Sequence, residues 1–290
     1  MNKNSRPTLN RREALASLGL LAAATHSGFS VAKEGTPGKP KLAMQLYTMR
    51  DPAKKDLKDT LKKVREIGYE YVQWSGMPGM PFDQILAALD EAGLKAMACH
   101  CGVEPFETDF ENYSNSWKSI GAVNVGPGGM MGDCRDTLKD WLRGVKRLDA
   151  VGAKLSAKGM RLTYHNHASE FEKYPDDPRT KEDILLQESD PKNLFAELDV
   201  AWAHIGGVDP AAFLRANKGR CPTIHAKDVA PAKAKSKFTP LGQGILDWDD
   251  LVAAGIETGV EWFIYEQDNG VGSPFDWAAE SFEFMSKKLA

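Results

Sequence analysis

Short apolar runs recur along the chain, and each is followed by a stretch whose apolar positions return every three or four residues. The runs Leu42–Leu46, Tyr69–Trp74, Lys95–Cys99, Ile120–Val125, Arg161–His165, Leu194–Leu198, Pro222–His225 and Trp262–Glu266 read as strands. Between them, Ala53–Ile67, Phe82–Ala92, Thr137–Ser156 and Trp248–Thr258 have helical length and period. A glycine often closes the helix just before the next strand, as in Ile67-Gly68-Tyr69, Ala92-Gly93-Leu94 and Thr258-Gly259-Val260. Strict strand–helix alternation implies parallel strands joined by helical crossovers. Eight such units predict a closed (β/α)8 barrel of the α/β class, and the first strand–helix turn lacks the GxGxxG of an open dinucleotide-binding sheet. The lysine-rich Pro231–Lys237 reads as a solvated loop.

The first 32 residues follow a different pattern. Arg11-Arg12 precedes an uncharged, mostly apolar stretch from Ala14 to Thr25, and small residues close it at Ser30-Val31-Ala32. That is the layout of a signal peptide, resembling a twin-arginine signal, with Ala14 where such motifs prefer a bulky aromatic. The expected organisation is a signal at 1–32, a flexible spacer at 33–40 and a single barrel domain at 41–290. Cleavage would leave about 258 residues, close to the ~250 typical of the barrel, with the protein working in the periplasm.

Charge and composition narrow the partners. Lys plus Arg is 37 and Asp plus Glu is 40, for a formal charge of −3. Such a balance offers no footprint for a phosphate backbone, so nucleic acid is not an expected partner. Outside the signal no apolar run reaches the ~18 residues that span a bilayer, so no membrane association is expected after cleavage. Cys99, Cys101, Cys134 and Cys221 form no CxxC pair and read as small apolar side chains.

In a barrel of this kind chemistry sits where the strands end. Those positions carry Gln45, Tyr47, Trp74, His100, Asn124, His165, His167, Asp199, His225, Lys227 and Glu266. Residues two apart on a strand share a face, which aims His165 with His167, and His225 with Lys227, toward the axis. A carboxylate at the end of an apolar strand is costly unless a cation or donor compensates it. Two carboxylates and two imidazoles from four of these strand ends can converge on one divalent ion, and a nitrogen/oxygen set with open positions suits Mn, Zn, Co, Fe or Mg. Taken singly, Asp199 also reads as a cap on the following turn and Glu266 as the partner of Lys227 in an ion pair.

The segments Gln45-Leu46-Tyr47-Thr48-Met49-Arg50-Asp51, Tyr164-His165-Asn166-His167, Glu197-Leu198-Asp199-Val200-Ala201-Trp202, His225-Ala226-Lys227-Asp228 and Tyr265-Glu266-Gln267-Asp268 together resemble the sugar phosphate isomerase/epimerase family, the xylose-isomerase-like barrels. The likeness runs from about Lys41 to the C-terminus. It implies a metal held at the ends of strands five to eight, which places the ligands on His165, Asp199, His225 and Glu266. Two departures stand out. His165 occupies a position where the epimerases carry Glu, one of a pair of carboxylates acting on opposite faces of the substrate. Gln243, in Pro240-Leu241-Gly242-Gln243-Gly244, replaces a Glu common in relatives.

The expected reaction is removal of a proton beside the carbonyl of a keto-sugar or cyclitol, with Glu266, His100 or His167 as base and Lys227 as oxyanion partner. Reprotonation gives isomerisation or epimerisation. Loss of a β-oxygen substituent gives a lyase, either a dehydratase or an enzyme cleaving a keto-glycoside. Gln45, Tyr47, Trp74, Asn124 and Trp202 are the candidate substrate contacts. Two rivals are a periplasmic sugar-binding barrel without turnover and an apurinic endonuclease barrel, the latter disfavoured by the net charge. Neither a Gly-rich cradle nor a basic cluster supports phosphate recognition, and the sequence does not specify the oligomeric state.

Overall fold

The computed structural model describes residues 38–290, so the expected signal at 1–32 and most of the spacer lie outside the described residues. Eight strands form one closed barrel: β1 (Lys41–Gln45), β2 (Tyr71–Trp74), β3 (Lys95–His100), β4 (Asn124–Gly126), β5 (Arg161–His165), β6 (Leu194–Asp199), β7 (Thr223–Ala226) and β10 (Trp262–Tyr265). Neighbours pair in chain order and in parallel, and β10 returns to β1 through the register Lys41↔Trp262 to Met44↔Tyr265. A short antiparallel ribbon, β8 (Asp228–Val229) with β9 (Phe238–Thr239), stands on the loop after β7. The lysine-rich stretch expected as a loop lies between these two strands.

Helices Phe82–Ala92 and Trp248–Thr258 have the bounds expected, and Leu138–Ala157 lies within a residue of them. Their starts are chemically marked, since Thr137 and Asp247 accept hydrogen bonds from backbone amides of the first turn. Two expectations need correction. The stretch expected as one helix over Ala53–Ile67 is two, Arg50–Lys55 and Leu57–Ile67. Asp56 is extended between them, with φ −153°, and its carboxylate caps the second helix at the Asp59 amide. The strand expected over Ile120–Val125 begins only at Asn124. Ile120 is the C-cap of helix Phe110–Ser119, and Gly121 turns the chain at φ 93°, a conformation that favours glycine.

Apolar side chains form a large core between strands and helices, and a small separate cluster, Ala43, Met97, Ala98 and Ile264, inside the barrel. Above that plug the inward positions turn polar: first Gln45, Gln73, Glu197 and Thr223, then His165, Asp199, His225, Lys227 and Glu266. All of these polar side chains are buried, and they must satisfy one another.

Candidate functional site

Alternation along β6 explains how its end is built. Leu198 faces the outer core, while Glu197 and Asp199 on either side face the axis, and both carboxylates are fully buried. The register sets Asp199 beside His225, and Ile264 of β10 beside the same histidine, two residues before Glu266. Asp199 divides its two oxygens between structure and site. Oδ1 accepts the Trp202 amide at 2.9 Å and caps helix Val200–Ile205, while Oδ2 faces the cluster. Asn166 ties the ends of β5 and β6 together, since its Oδ1 accepts the Asp199 amide at 2.9 Å.

His165, Asp199, His225 and Glu266 each offer one donor atom, and the four atoms all lie within 4.8 Å of one another. Lys227 sits against this set. Its ammonium donates to Asp268 Oδ2 at 2.9 Å and forms ion pairs with Asp199 Oδ2 at 2.9 Å and Glu266 Oε2 at 2.8 Å. Burial works against the charged form of both carboxylates, but Lys227 and the neighbouring imidazoles hold them below the usual carboxylate range. Burial likewise works against the charged Lys227, and Asp199, Glu266 and Asp268 outweigh it and raise the ammonium's pKa.

The two histidines of the set differ sharply. Burial and the neighbouring imidazoles push His165 down to about 3, so its ring is neutral. Both of its nitrogens are buried, and neither has a hydrogen-bond partner among the described residues, although Nε2 lies 3.4 Å from Asp199 Oδ2. An imidazole lone pair with no proton to accept, aimed among two carboxylates and a second imidazole, is the donor chemistry of a divalent cation site. His225 is opposed by burial but flanked by Glu197 and Glu266, and it is pushed up to about 10. Its Nδ1 meets Glu266 Oε2 at 2.9 Å, and its Nε2 meets Gln73 Oε1 at 2.7 Å and Glu197 Oε1 at 3.0 Å. The donor set therefore fits a metal once the Nδ1 proton leaves.

A cavity of about 500 Å³ opens over the set, lined by Tyr47, His100, His165, His167, Lys227 and Glu266 among others. A second, of about 620 Å³, adjoins it and shares His100, Gly128 and His167 with it. Gln45 lies beneath His100, donating to Gln73 at 2.8 Å and lying 3.4 Å from His100 Nδ1. Of the expected substrate contacts only Tyr47 lines either cavity; Gln45 and three others do not. Trp74 packs in the core. Asn124 opens β4 instead of ending it, and its amide donates to Met97 O at 3.3 Å. Trp202 presents its ring to Lys227 and Lys237, with the nitrogens 5.7 and 4.6 Å from the centroid. Gln243 is turned to the surface, where it donates to Glu280. Sequence reasoning singles out neither Glu197 nor Gln73. The signal for Glu197 is its two-residue spacing from Asp199, the same spacing that pairs His165 with His167.

A closed parallel barrel with a buried imidazole–carboxylate cluster at the strand ends defines a class of protein before any comparison is made. The matching family model, xylose isomerase-like TIM barrel, covers residues 61–288, and the chain belongs to that family. It is 26% identical over 169 residues to inosose dehydratase of Geobacillus thermodenitrificans, a match covering 51% of this chain and 55% of that protein. The chain thus spans about half the length of the curated relatives it matches. Among solved structures, a sugar phosphate isomerase/epimerase from Parabacteroides distasonis superposes with a TM-score of 0.71 at 17% identity, covering 90% of this chain and 96% of that one. An L-ribulose 3-epimerase gives 0.65 at 15% identity, covering 86% and 94%. At these identities the structural likeness establishes the fold.

Proposed function

We propose that this protein is an enzyme acting on a keto-sugar or cyclitol, with one divalent metal held by His165, Asp199, His225 and Glu266. The observation that carries this reading is the buried, convergent donor set beneath an open cavity, with both nitrogens of His165 unpartnered. When bound, the metal supplies Lewis acidity that polarises a carbonyl oxygen and acidifies the adjacent C–H. The chain's own residues supply the rest. Lys227 holds positive charge at the cavity edge, where an oxyanion develops. His100 and His167 line the same cavity as Glu266. His100 donates from Nε2 to Glu197 at 2.6 Å, which leaves the Nδ1 lone pair to take up a proton.

One observation favours elimination as the outcome. The strand-five position carries a neutral imidazole, so Glu266 has no carboxylate opposite it to return a proton to the other face. His167, bordering both cavities, is placed to protonate a departing oxygen. A lyase reading agrees with the dehydratase among the relatives, whereas isomerisation is the outcome if the same carbon is reprotonated. Incubation with keto-sugars in deuterated water separates them: release of water or an alcohol marks the lyase, and deuterium beside the carbonyl on an intact skeleton marks the isomerase.

The metal assignment is tested on Asp199→Ala and Glu266→Ala. Both should lose bound metal and turnover together while far-UV circular dichroism stays unchanged, and wild-type metal content in both variants sinks the assignment. We also propose that the chain is exported through its first 32 residues, which cell fractionation of the full chain against a variant with both Arg11 and Arg12 replaced by Lys would test.

A further inference from the structure

Glu197 lies outside the four-donor set, though with His100 and His225 it forms a second group of donor atoms within 4.8 Å of one another, and it is the most heavily hydrogen-bonded carboxylate in the barrel interior. It is fully buried. It accepts from Gln73 Nε2 on both oxygens at 2.9 Å, from Thr223 Oγ1 at 3.1 Å and from His100 Nε2 at 2.6 Å, and His225 Nε2 lies 3.0 Å away. A carboxylate can only accept, and this fixes the proton positions around it. The Gln73 amide must turn its NH2 to Glu197, so its oxygen faces outward. That oxygen accepts from Gln45 Nε2 at 2.8 Å and from His225 Nε2 at 2.7 Å. His225 must therefore carry a proton on Nε2, toward Gln73 and Glu197, which directs Nδ1 at Asp199 and Glu266. His100 must also carry its proton on Nε2, and its Nδ1 lone pair takes the long contact from the Gln45 amide at 3.4 Å.

We propose that Glu197 is a positioning residue shared by two histidines with different tasks, fixing the ring tautomer of the candidate ligand His225 and of the cavity-wall His100 through one carboxylate. The His225 half rests on the metal reading above, whereas the His100 half rests on geometry alone. The arrangement has the logic of a carboxylate–histidine–metal triad on one side and of a carboxylate–imidazole dyad on the other. Only a carboxylate serves both. A neutral amide at position 197 would present NH2 to one of its surrounding donors, and the consistent proton placement would break.

The test is long-range proton–nitrogen NMR on protein carrying 15N-histidine, without metal and with one equivalent of Zn2+. In the wild type His100 should show a protonated Nε2 and a bare Nδ1 in both states. Zinc-loaded His225 should show Nδ1 bound and Nε2 protonated. In Glu197→Gln the His100 signals should move toward the other tautomer or an average, and Zn2+ affinity by calorimetry should fall by about 10–100-fold. Glu197→Asp, which keeps an acceptor, should recover most of the wild-type pattern, and Thr223→Val should change stability without changing either tautomer. Wild-type nitrogen shifts and zinc affinity in Glu197→Gln overturn the proposal. So does a wild-type His100 protonated on Nδ1, a result that needs no variant to fold. Failure of the wild type to bind Zn2+ would overturn the metal reading and the His225 half, while the metal-free spectrum still decides the His100 half.

Discussion

His165 and His225 have ring centroids 4.4 Å apart and are driven in opposite directions. His225 is raised from 6.5 to about 10, so its contribution to stability is complete below pH 6.5 and is lost as the pH rises through about 10. His165 is lowered from 6.5 to about 3, so its contribution is complete above pH 6.5 and is lost as the pH falls toward 3. The metal-free protein should accordingly melt highest near pH 6–7 and lose Tm on both sides. His225→Gln should flatten the alkaline limb in scanning calorimetry, and an unchanged limb would show that the flanking carboxylates do not hold a proton on this ring. The legible and illegible residues divide along a physical line. His165, Asp199, His225 and Glu266 stand at strand ends where two-residue alternation and cost of burial reveal them. Gln73 and Glu197 lie one layer deeper, and their importance comes from partners on other strands, which spacing along one segment does not encode. Trp74 and Asn124 show the converse, since residue type suggested a contact that strand register and packing direct elsewhere.

Elements are placed by local chemistry where a cap or a close approach leaves no alternative. Asp228 is fully buried and accepts from the Gly242 amide at 2.9 Å, the Gly244 amide at 3.1 Å and Trp248 Nε1 at 2.7 Å. One side chain thus folds the loop after β9 onto the end of β7, directly behind Lys227. Asp228→Ala should cost about 2–4 kcal/mol in denaturant unfolding, since it leaves several buried donors unpaired. A cost below 1 kcal/mol would mean that water replaces the carboxylate. At Gly126 the constraint is space: a Cβ would lie 1.7 Å from the Thr163 carbonyl oxygen, so β4 must move for any side chain to fit. Gly126→Ala should destabilise by at least ~1–3 kcal/mol and displace His100, its neighbour in register on β3. Hydrophobic period located these strands and the helices over Phe82–Ala92, Leu138–Ala157 and Trp248–Thr258. The boundary at Ile120 escaped it because an apolar residue serves equally well as a buried helix end and as a strand start.

At the scale of the molecule, the candidate donors lie at the ends of four adjacent strands, β5, β6, β7 and β10, which together make half of the barrel wall. A cation there would clamp that wall as one unit. Treatment with a chelator should lower Tm in a single cooperative transition, and re-addition of metal at 100 times Kd should restore about 2.7 kcal/mol. A Tm that ignores both would place the metal, if any, away from these strands. The barrel itself was legible from alternation alone, because eight strand–helix units admit few arrangements that bury both faces of a parallel sheet.

The closure of β10 onto β1 also sets an order of events during biosynthesis. The strand that seals the cylinder is the same one that leads into Glu266, and it leaves the ribosome after the other seven barrel strands. A polypeptide that ends before β10 therefore holds three of the four candidate donors on an unsealed sheet. A cation held by the full donor set would have to follow closure of the barrel, so a product truncated before β10 would lack both the seal and the fourth candidate donor.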